Sequence, residues 1–214
     1  ANVAGGGYED LGGAHTILIG ELGTNKTLSF NAATFEAISG GLSNLENIVF
    51  NAIITDKASN ATTGTQSATT ITYDQAAPAA FNVGSVITVG GTVVAGQWNP
   101  TNTHIDITVP LANDASLTDG TLQIRANVAG GGYEDLGGAH TILVGELDAN
   151  KTLRFDAATF EAISGGLSNL ENIVFNAIIT DKASNATTGT QSATTVTYDE
   201  GGPAAFNVGS VVTT

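Results

Sequence analysis

The sequence TDKASN at residues 55–60 is followed by a threonine-rich run that ends in TYD at residues 72–74 and then by a proline. The same sequence recurs at residues 180–185, again followed by a run that ends in TYD, at residues 197–199, and by a proline. Each copy has the pattern of a penultimate strand, a loop that carries a carboxylate, a last strand and a short linker. The pattern predicts that one β-domain ends, and the next begins, at this point in each copy.

The two copies belong to a repeat with a period of 125 residues. When residues 1–89 are aligned with residues 126–214, 11 of the 89 positions differ and 78 match. This period is too long for a solenoid or a propeller blade and suits a whole domain that is repeated in tandem. Near-identical tandem copies are more typical of spacers and adhesive arrays than of enzymes, so the chain is not predicted to be an enzyme.

The repeat also predicts the domain boundaries. One complete unit spans residues 75–199, residues 1–74 are the C-terminal part of a preceding unit, and residues 200–214 are the first strand of the next. We expect the chain to be a slice of a longer protein from which an upstream region has been left out. The alternative is that strands are shared or swapped between neighbouring chains.

Within the complete unit, apolar and polar residues alternate with the period of a β-strand that is buried on one face. The clearest examples are residues 104–111, 121–128 and 171–180. Further strands are predicted at residues 81–89, 92–98, 141–147, 152–155 and 192–198, and a short helical turn at residues 157–163. About seven short strands separated by Gly, Asn and Asp turns predict an all-β, immunoglobulin-like β-sandwich in tandem.

The composition of the chain limits its partners. The 214 residues include 20 acidic and 6 basic side chains, which give a formal charge of -14. A chain this acidic is not expected to bind nucleic acid through its general charge, and it should attract cations. No apolar run is long enough to span a membrane. The absence of cysteine excludes disulfides and thiolate chemistry.

Acidic and amide side chains are predicted to meet at one end of the complete unit. Successive strands of a sandwich alternate in direction. The start of the first strand, the loop between the second and third strands, and the loop between the sixth and seventh strands therefore lie at the same end. These segments carry Asp74, Asn113, Asp114, Asp119, Asp181 and Asn185. Clusters of such oxygens bind Ca²⁺, so we predict calcium at the seam between domains. The alternative is that Asp and Asn occur here because they favour loops and turns.

The TDKASN sequence, with the TVTYD run at residues 195–199 and the following proline, resembles the tail of bacterial immunoglobulin-like repeats found in large surface adhesins. In that family a TD-x-A-G-N loop precedes a last strand that ends in Asp. Ser59 and Ser184 stand where the family usually has Gly. The resemblance implies a β-sandwich with calcium at interdomain joints. The matching residues are Asp56, Asn60 and Asp74 in the first copy and Asp181, Asn185 and Asp199 in the second.

The histidines, the GGG sequence and Trp98 are other candidate sites, and for each of them a structural role is the commoner case. His15 and His140 occupy the same repeat position, and neither they nor His104 have the spacing of a zinc or catalytic site. The GGG sequence at residues 130–132 lacks the Lys and Ser/Thr of a phosphate loop and predicts a turn. Trp98 could stack on a sugar, although a partly buried aromatic is the commoner case.

Together, the repeat and the resemblance predict a structural extender of a secreted bacterial cell-surface adhesin, stiffened by calcium and located outside the cell. Its partners would be neighbouring repeats, with self-association as a second kind of contact, and neither nucleic acid nor membrane insertion is expected. Two alternatives remain open. Each repeat could bind a glycan or ice, or the chain could be a fibre subunit that assembles by β-strand complementation.

Overall fold

The computed structural model describes residues 1–209, most of whose regular structure is β-strand arranged in several sheets. The chain divides into two compact units, Ala1–Ala76 and Ala77–Thr214. The all-β class predicted from the sequence is confirmed. The immunoglobulin-like topology, and domain boundaries at residues 75 and 199, stay predictions.

The first unit is formed by short elements around a small core. Its elements are β1 (Asn2–Val3), α1 (Ala32–Glu36), β2 (Glu46–Val49), β3 (Ile53–Thr55), β4 (Ala61–Thr63) and β5 (Ile71–Tyr73), with 3-10 turns at Ile19–Glu21 and Ile38–Gly40. β1, β2 and β5 form an antiparallel sheet, and β3 and β4 form a hairpin. Val3, Ile38 and Ile48 are buried in its core.

The second unit contains longer strands. Its elements are β6 (Val86–Val89), β7 (Gln97–Trp98), β8 (His104–Leu111), β9 (Thr121–Val128), β10 (Tyr133–Asp135), β11 (His140–Thr141), β12 (Ala149–Asp156), α2 (Ala157–Glu161), β13 (Glu171–Thr180), β14 (Ala186–Thr188) and β15 (Val196–Tyr198). Three 3-10 turns lie at Ala115–Leu117, Val144–Glu146 and Ile163–Gly165. The ten strands among its described residues exceed the seven or so predicted, because several are edge strands of two or three residues.

Two sheets of the second unit share one hydrophobic core. The smaller sheet has the order β12-β8-β6, and the larger has the order β10-β9-β13-β15-β7, with β11 beside β9 and β14 beside β13. In β8 and β9 every second side chain is buried, as the alternation in the sequence predicts. Inward residues from both sheets, with Trp98 and Phe160, fill the core.

The sequence predicted β8, β9 and β13 with their observed bounds. The predicted strand at residues 141–147 is wrong, because β11 ends at Thr141 and residues 144–146 form a 3-10 turn. The strand predicted at 152–155 extends back to Ala149, since Asp148, with φ of 58°, makes the preceding turn. The predicted helical turn at 157–163 is confirmed as α2, which runs into the last 3-10 turn.

Three predicted strands are shorter in the structure. In the segment 81–89 only β6 is regular strand, and residues 192–198 contribute only β15. In the segment 92–98 the strand is limited to β7, because Gly91 and Gly96 take left-handed backbone conformations with φ of 56° and 72°. The sequence did not predict β10 or β14.

The same sequence is buried to different extents in the two units. Ile179 is 2% exposed, whereas Ile54, at the same repeat position, is 60% exposed; Val196 is 1% exposed and its counterpart Ile71 is 44% exposed. β13 pairs with β9 at eight positions, but β1 pairs with β2 at two. Within residues 1–209, β3 pairs with β4 alone. The first unit therefore exposes apolar side chains that partner strands cover in the second.

Replacing these two isoleucines tests the difference in burial. Ile179→Ala should lower the free energy of unfolding of the second unit by about 2–5 kcal/mol, because it leaves a cavity in a packed core. Ile54→Ala should change the stability of the first unit by less than about 0.5 kcal/mol. Differential scanning calorimetry of the two variants measures both effects, and equal losses would contradict the burial described above.

Candidate functional site

Two of the loops predicted to converge do meet in the second unit. The loop of residues 112–120 joins β8 to β9, and the loop of residues 181–185 joins β13 to β14. The N–H of Lys182 donates to the carbonyl of Ser116 at 3.0 Å, and its Nζ lies 2.9 Å from Oδ2 of Asp119. At Gly120 the two loops are so close that a Cβ would lie 2.3 Å from the carbonyl oxygen of Thr180.

Asp181 closes its own loop. Its carboxylate is buried, with 3% of the residue exposed. Oδ1 accepts the N–H of Asn185 at 2.8 Å, and Oδ2 accepts the side-chain Nδ2 of Asn185 at 3.0 Å. These hydrogen bonds account for the Asp and the Asn of the TDKASN sequence, because the side chains of Asp181 and Asn185 bind each other.

The first copy of the loop has the same hydrogen bonds. Asp56 accepts the Asn60 N–H at 2.8 Å and the Asn60 side chain at 2.9 Å, as well as the N–H of Ala58 at 2.9 Å. The Asn60 side chain and backbone N–H lower the pKa of the Asp56 carboxyl. Ser59 and Ser184 have φ of 70° and 74°, the left-handed region that glycine favours.

Asp114 and Asp119, two further predicted ligands of the second unit, have partners close to them. Asp114 caps the 3-10 turn of residues 115–117 by accepting the N–H and the hydroxyl of Ser116 at 2.9 and 2.8 Å. Asp119 has φ of 64° and forms its ion pair with Lys182. Asn113 is exposed.

Asp74 and Asp199 hold the segments that follow the last strands. Asp74 accepts the N–H of Ala76, and Asp199 accepts the N–H of Gly201, each at 3.1 Å. Asp74 belongs to the first unit, and the predicted ligands Asn113, Asp114, Asp119, Asp181, Asn185 and Asp199 belong to the second.

The predicted carboxylate ligands of the second unit accept hydrogen bonds or an ion pair from neighbouring groups. Asp114 and Asp181 use their oxygens to hold their own loops, and Asp119 faces an ammonium group. Among residues 1–209, no group of three or more His, Cys, Asp or Glu side chains could hold a metal ion. The second unit alone therefore fits calcium poorly, and the predicted calcium at the seam stays a prediction.

A second polar cluster was not predicted from the sequence. Glu146 accepts the N–H of Leu143 at 3.0 Å, lies 2.8 Å from Nε2 of His140 and forms an ion pair with Lys151. Burial raises the pKa of Glu146, but hydrogen bonds from Lys151, His140 and Leu143 outweigh it and lower the pKa to about 2. His15, Glu21 and Lys26 form the same cluster in the first unit, which indicates a structural role for this histidine position.

Trp98 is a core residue. It is fully buried, its ring centroid lies 4.6 Å from that of Phe160, and its Nε1 donates to Oε1 of Glu161 at 3.0 Å. Since no face of the ring is exposed, Trp98 cannot stack on a sugar. The GGG segment at residues 130–132 is the turn between β9 and β10, as predicted.

A surface hollow of about 350 Å³ lies beside the two converging loops. It is lined by Phe81, Leu111, Leu117 and Ile179, and by the segment that starts at Pro78. Its lining is mainly apolar, so it differs in character from the carboxylate cluster predicted for this end of the unit.

Comparison with known proteins adds no relative. Neither a scan against models of protein families nor a search of curated proteins finds a match for this sequence.

None of the helices within residues 1–209 has both the length and the apolar character that crossing a membrane requires.

The left-handed residue in the TDKASN loop offers a direct test of its backbone geometry. Ser184→Gly should raise the free energy of unfolding of the second unit by about 0.5–1 kcal/mol, because glycine adopts positive φ without a steric penalty. Ala183→Gly, one residue earlier, should lower it by a similar amount, because it only adds freedom to the unfolded chain. Urea unfolding followed by the fluorescence of Trp98 measures both, and losses of equal size would refute the geometry.

The Glu146 cluster predicts a dependence of stability on pH. The folded pKa of about 2 lies below the ordinary value of 4.5, so the stabilisation is complete above pH 4.5 and is lost as the pH falls towards 2. Glu146→Gln should cost about 1–2 kcal/mol at pH 7 and less than half of that at pH 2.5. Asp148→Asn, an exposed control that tolerates positive φ, should differ little from wild type at either pH in the same unfolding assay. A cost of Glu146→Gln that does not change with pH would argue against the cluster.

Proposed function

We propose that this chain is a structural extender, a run of tandem β-domains that separates a functional module from the surface to which it is attached. The observation that carries the proposal is the repeat itself. A sequence with 78 matches in 89 positions has kept its TDKASN loop, its His-Glu-Lys cluster and its last strand in both copies. Repetition of a whole domain adds length in proportion to copy number, which is the property that a stalk requires.

The structure of the second unit is compatible with this mechanical role. β13, its longest strand, is hydrogen-bonded to β9, β14 and β15. The loop after β13 is closed by Asp181 and Asn185. Lys182 also attaches it to the loop of residues 112–120. A pull along the chain would therefore have to break several backbone hydrogen bonds together.

Calcium at the seam belongs to the same proposal. The acidic composition supports it, because a chain with a formal charge of -14 repels itself unless cations or salt offset the charge. Secretion by bacteria and attachment to the cell surface are proposed on the resemblance of the TDKASN loop and TYD ending to adhesin repeats.

A second candidate function is a fibre subunit that assembles by β-strand complementation. The observation that favours it is the exposure of Ile54, Ile71 and Ile17 in the first unit, at positions whose counterparts are buried in the second. Within residues 1–209, β3 pairs with β4 alone and so has one open edge, and an open strand edge can accept another strand.

The extender proposal predicts that length follows copy number. Chains lengthened by one, two and three further copies of residues 75–199 should show a maximum dimension in small-angle X-ray scattering that rises by an equal step with each copy. A maximum dimension that levels off as copies are added would show that the domains collapse on one another and would contradict an extender.

The calcium prediction has its own measurement. About 1 mM calcium, in the affinity range of extracellular modules, should release or absorb heat in calorimetry and stabilise the chain by about 0.4–1.4 kcal/mol for each site. Asp181→Asn and Asp114→Asn should weaken binding, whereas Glu146→Gln, outside the predicted seam, should not. If calcium produces no heat and EDTA leaves the melting temperature unchanged, the calcium part of the proposal fails while the extender part stands.

A further inference from the structure

A single asparagine in each unit holds the segment that follows the unit's last strand. In the first unit this strand is β5, and the segment after Asp74 is the start of the linker. The side-chain oxygen of Asn44, in the turn before β2, accepts the N–H groups of Gln75 and Ala76 at 2.8 and 3.1 Å. One amide oxygen thus takes the first two backbone donors of the linker.

The second unit has the same contact at the equivalent positions. The side-chain oxygen of Asn169, in the turn before β13, accepts the N–H groups of Glu200 and Gly201 at 2.8 and 2.9 Å. Asn44 and Asn169 lie one repeat period apart in the same SNLE sequence. The contact therefore forms in each unit from that unit's own residues.

The side chains of the linker differ between the two copies. Residues 75–77 are Gln, Ala and Ala, whereas residues 200–202 are Glu, Gly and Gly. These three consecutive positions are among the 11 that differ between the copies. The asparagine oxygen contacts backbone N–H groups, which every residue except proline carries. The contact is therefore retained where the linker side chains change.

The turn that presents the asparagine has a strained backbone. The residue after it is Leu45 in one unit and Leu170 in the other, with φ of 64° and 68°. A leucine keeps this left-handed conformation only where surrounding contacts hold it. The Leu170 N–H donates to the carbonyl of Tyr198 at 2.6 Å, and Glu171 accepts the Ser168 N–H at 2.7 Å. The first unit has the same two contacts, which in both units fix the turn beside the last strand.

We propose that Asn44 and Asn169 are positioning residues that fix the direction in which the linker leaves each unit. The inference rests on the extender function proposed above, because a stalk has to keep its direction from one domain to the next. A short linker with free backbone dihedrals acts as a swivel. Two hydrogen bonds to one amide oxygen restrict that freedom where the linker begins. This restriction needs no metal ion and is therefore separate from the calcium proposed at the seam.

Spin labels on the full chain test the proposal. The chain has no cysteine, so Gly13→Cys and Gly138→Cys place one label in each unit, at equivalent positions where a Cβ would meet nothing within 4 Å. Double electron–electron resonance in the presence of EDTA, which removes any contribution of a metal, measures the spread of distances between the labels. Asn44→Ala should widen this spread about twofold, because it removes the acceptor of both linker N–H groups.

Asn169→Ala is the matched control. It removes the same hydrogen bonds after the second unit and leaves the linker between the two labels intact, so the spread of distances should equal that of the wild type. Both asparagines are exposed, so the melting temperature of each variant should stay within about 2 °C of the wild type. This comparison separates a positioning role from a general loss of stability.

Nuclear magnetic relaxation of the backbone ¹⁵N nuclei gives a local measurement on the same variants. The order parameters of Gln75 and Ala76 should be about 0.85 in the wild type and should fall below about 0.6 in Asn44→Ala. The order parameters of Glu200 and Gly201 should fall in Asn169→Ala and stay unchanged in Asn44→Ala.

Three outcomes would overturn the proposal. Unchanged order parameters in Asn44→Ala would show that other contacts, such as the one from Asp74 to the Ala76 N–H, hold the linker without the asparagine. Lower order parameters with an unchanged spread of distances would show that Asn44 orders the linker without directing the unit that follows. Equal widening by both variants would show that the effect is indirect. None of these affects the rise of length with copy number, so the extender proposal is judged separately.

Discussion

The backbone pairing between β9 and β13 is the interaction on which the second unit depends. It joins eight consecutive residue pairs and sets Leu122 opposite Ile179 and Ile124 opposite Ala177, all of which are buried. The first unit shows what the β13 sequence does without a long partner. There the identical ten residues form β2 and β3, separated by three residues outside regular strand, and Ile54 is exposed. Strand propensity alone does not produce the longer strand, and pairing with side-chain burial does.

The sequence predicted those parts of the fold whose alternation reflects burial on one face. β8, β9 and β13 were found with their bounds because each places every second residue in a shared core. The segment at 141–147 has a comparable apolar content, but the Glu146 carboxylate accepts the Leu143 N–H and stabilises a 3-10 turn. A side chain that bonds to its neighbouring backbone competes with a strand, and this competition is invisible in hydrophobic periodicity. Edge strands such as β14 are too short to carry a pattern.

The predicted site shows the same division between what topology determines and what local hydrogen bonds determine. Alternating strand directions were sufficient to predict that the loops bearing Asp119 and Asp181 lie at one end of the unit, and they do. The same reasoning could not predict that Asp181 would bind Asn185, or that Lys182 would face Asp119, because both depend on loop conformation. The serine at position 184 has a φ of 74°, a backbone conformation that glycine adopts without the steric cost of a side chain.

Comparison of the two copies separates local from non-local determinants of structure. The Asp-Asn loop, the His-Glu-Lys cluster and the short helix form in both units, since each is made by residues close in sequence. Ile179 is buried beside β9, and β15, which carries Val196, pairs with β7 as well as β13. Among the described residues, β3 pairs with β4 alone and β5 with β2 alone, and the counterparts Ile54 and Ile71 are exposed. Because near-identical repeats make every such partner sequence available elsewhere in the chain, an uncovered face in one repeat is complementary to strands of another. Tandem identity therefore makes the sequence of β13 recur at a spacing of 125 residues, and it is the partner strands, rather than this sequence, that differ between the two units.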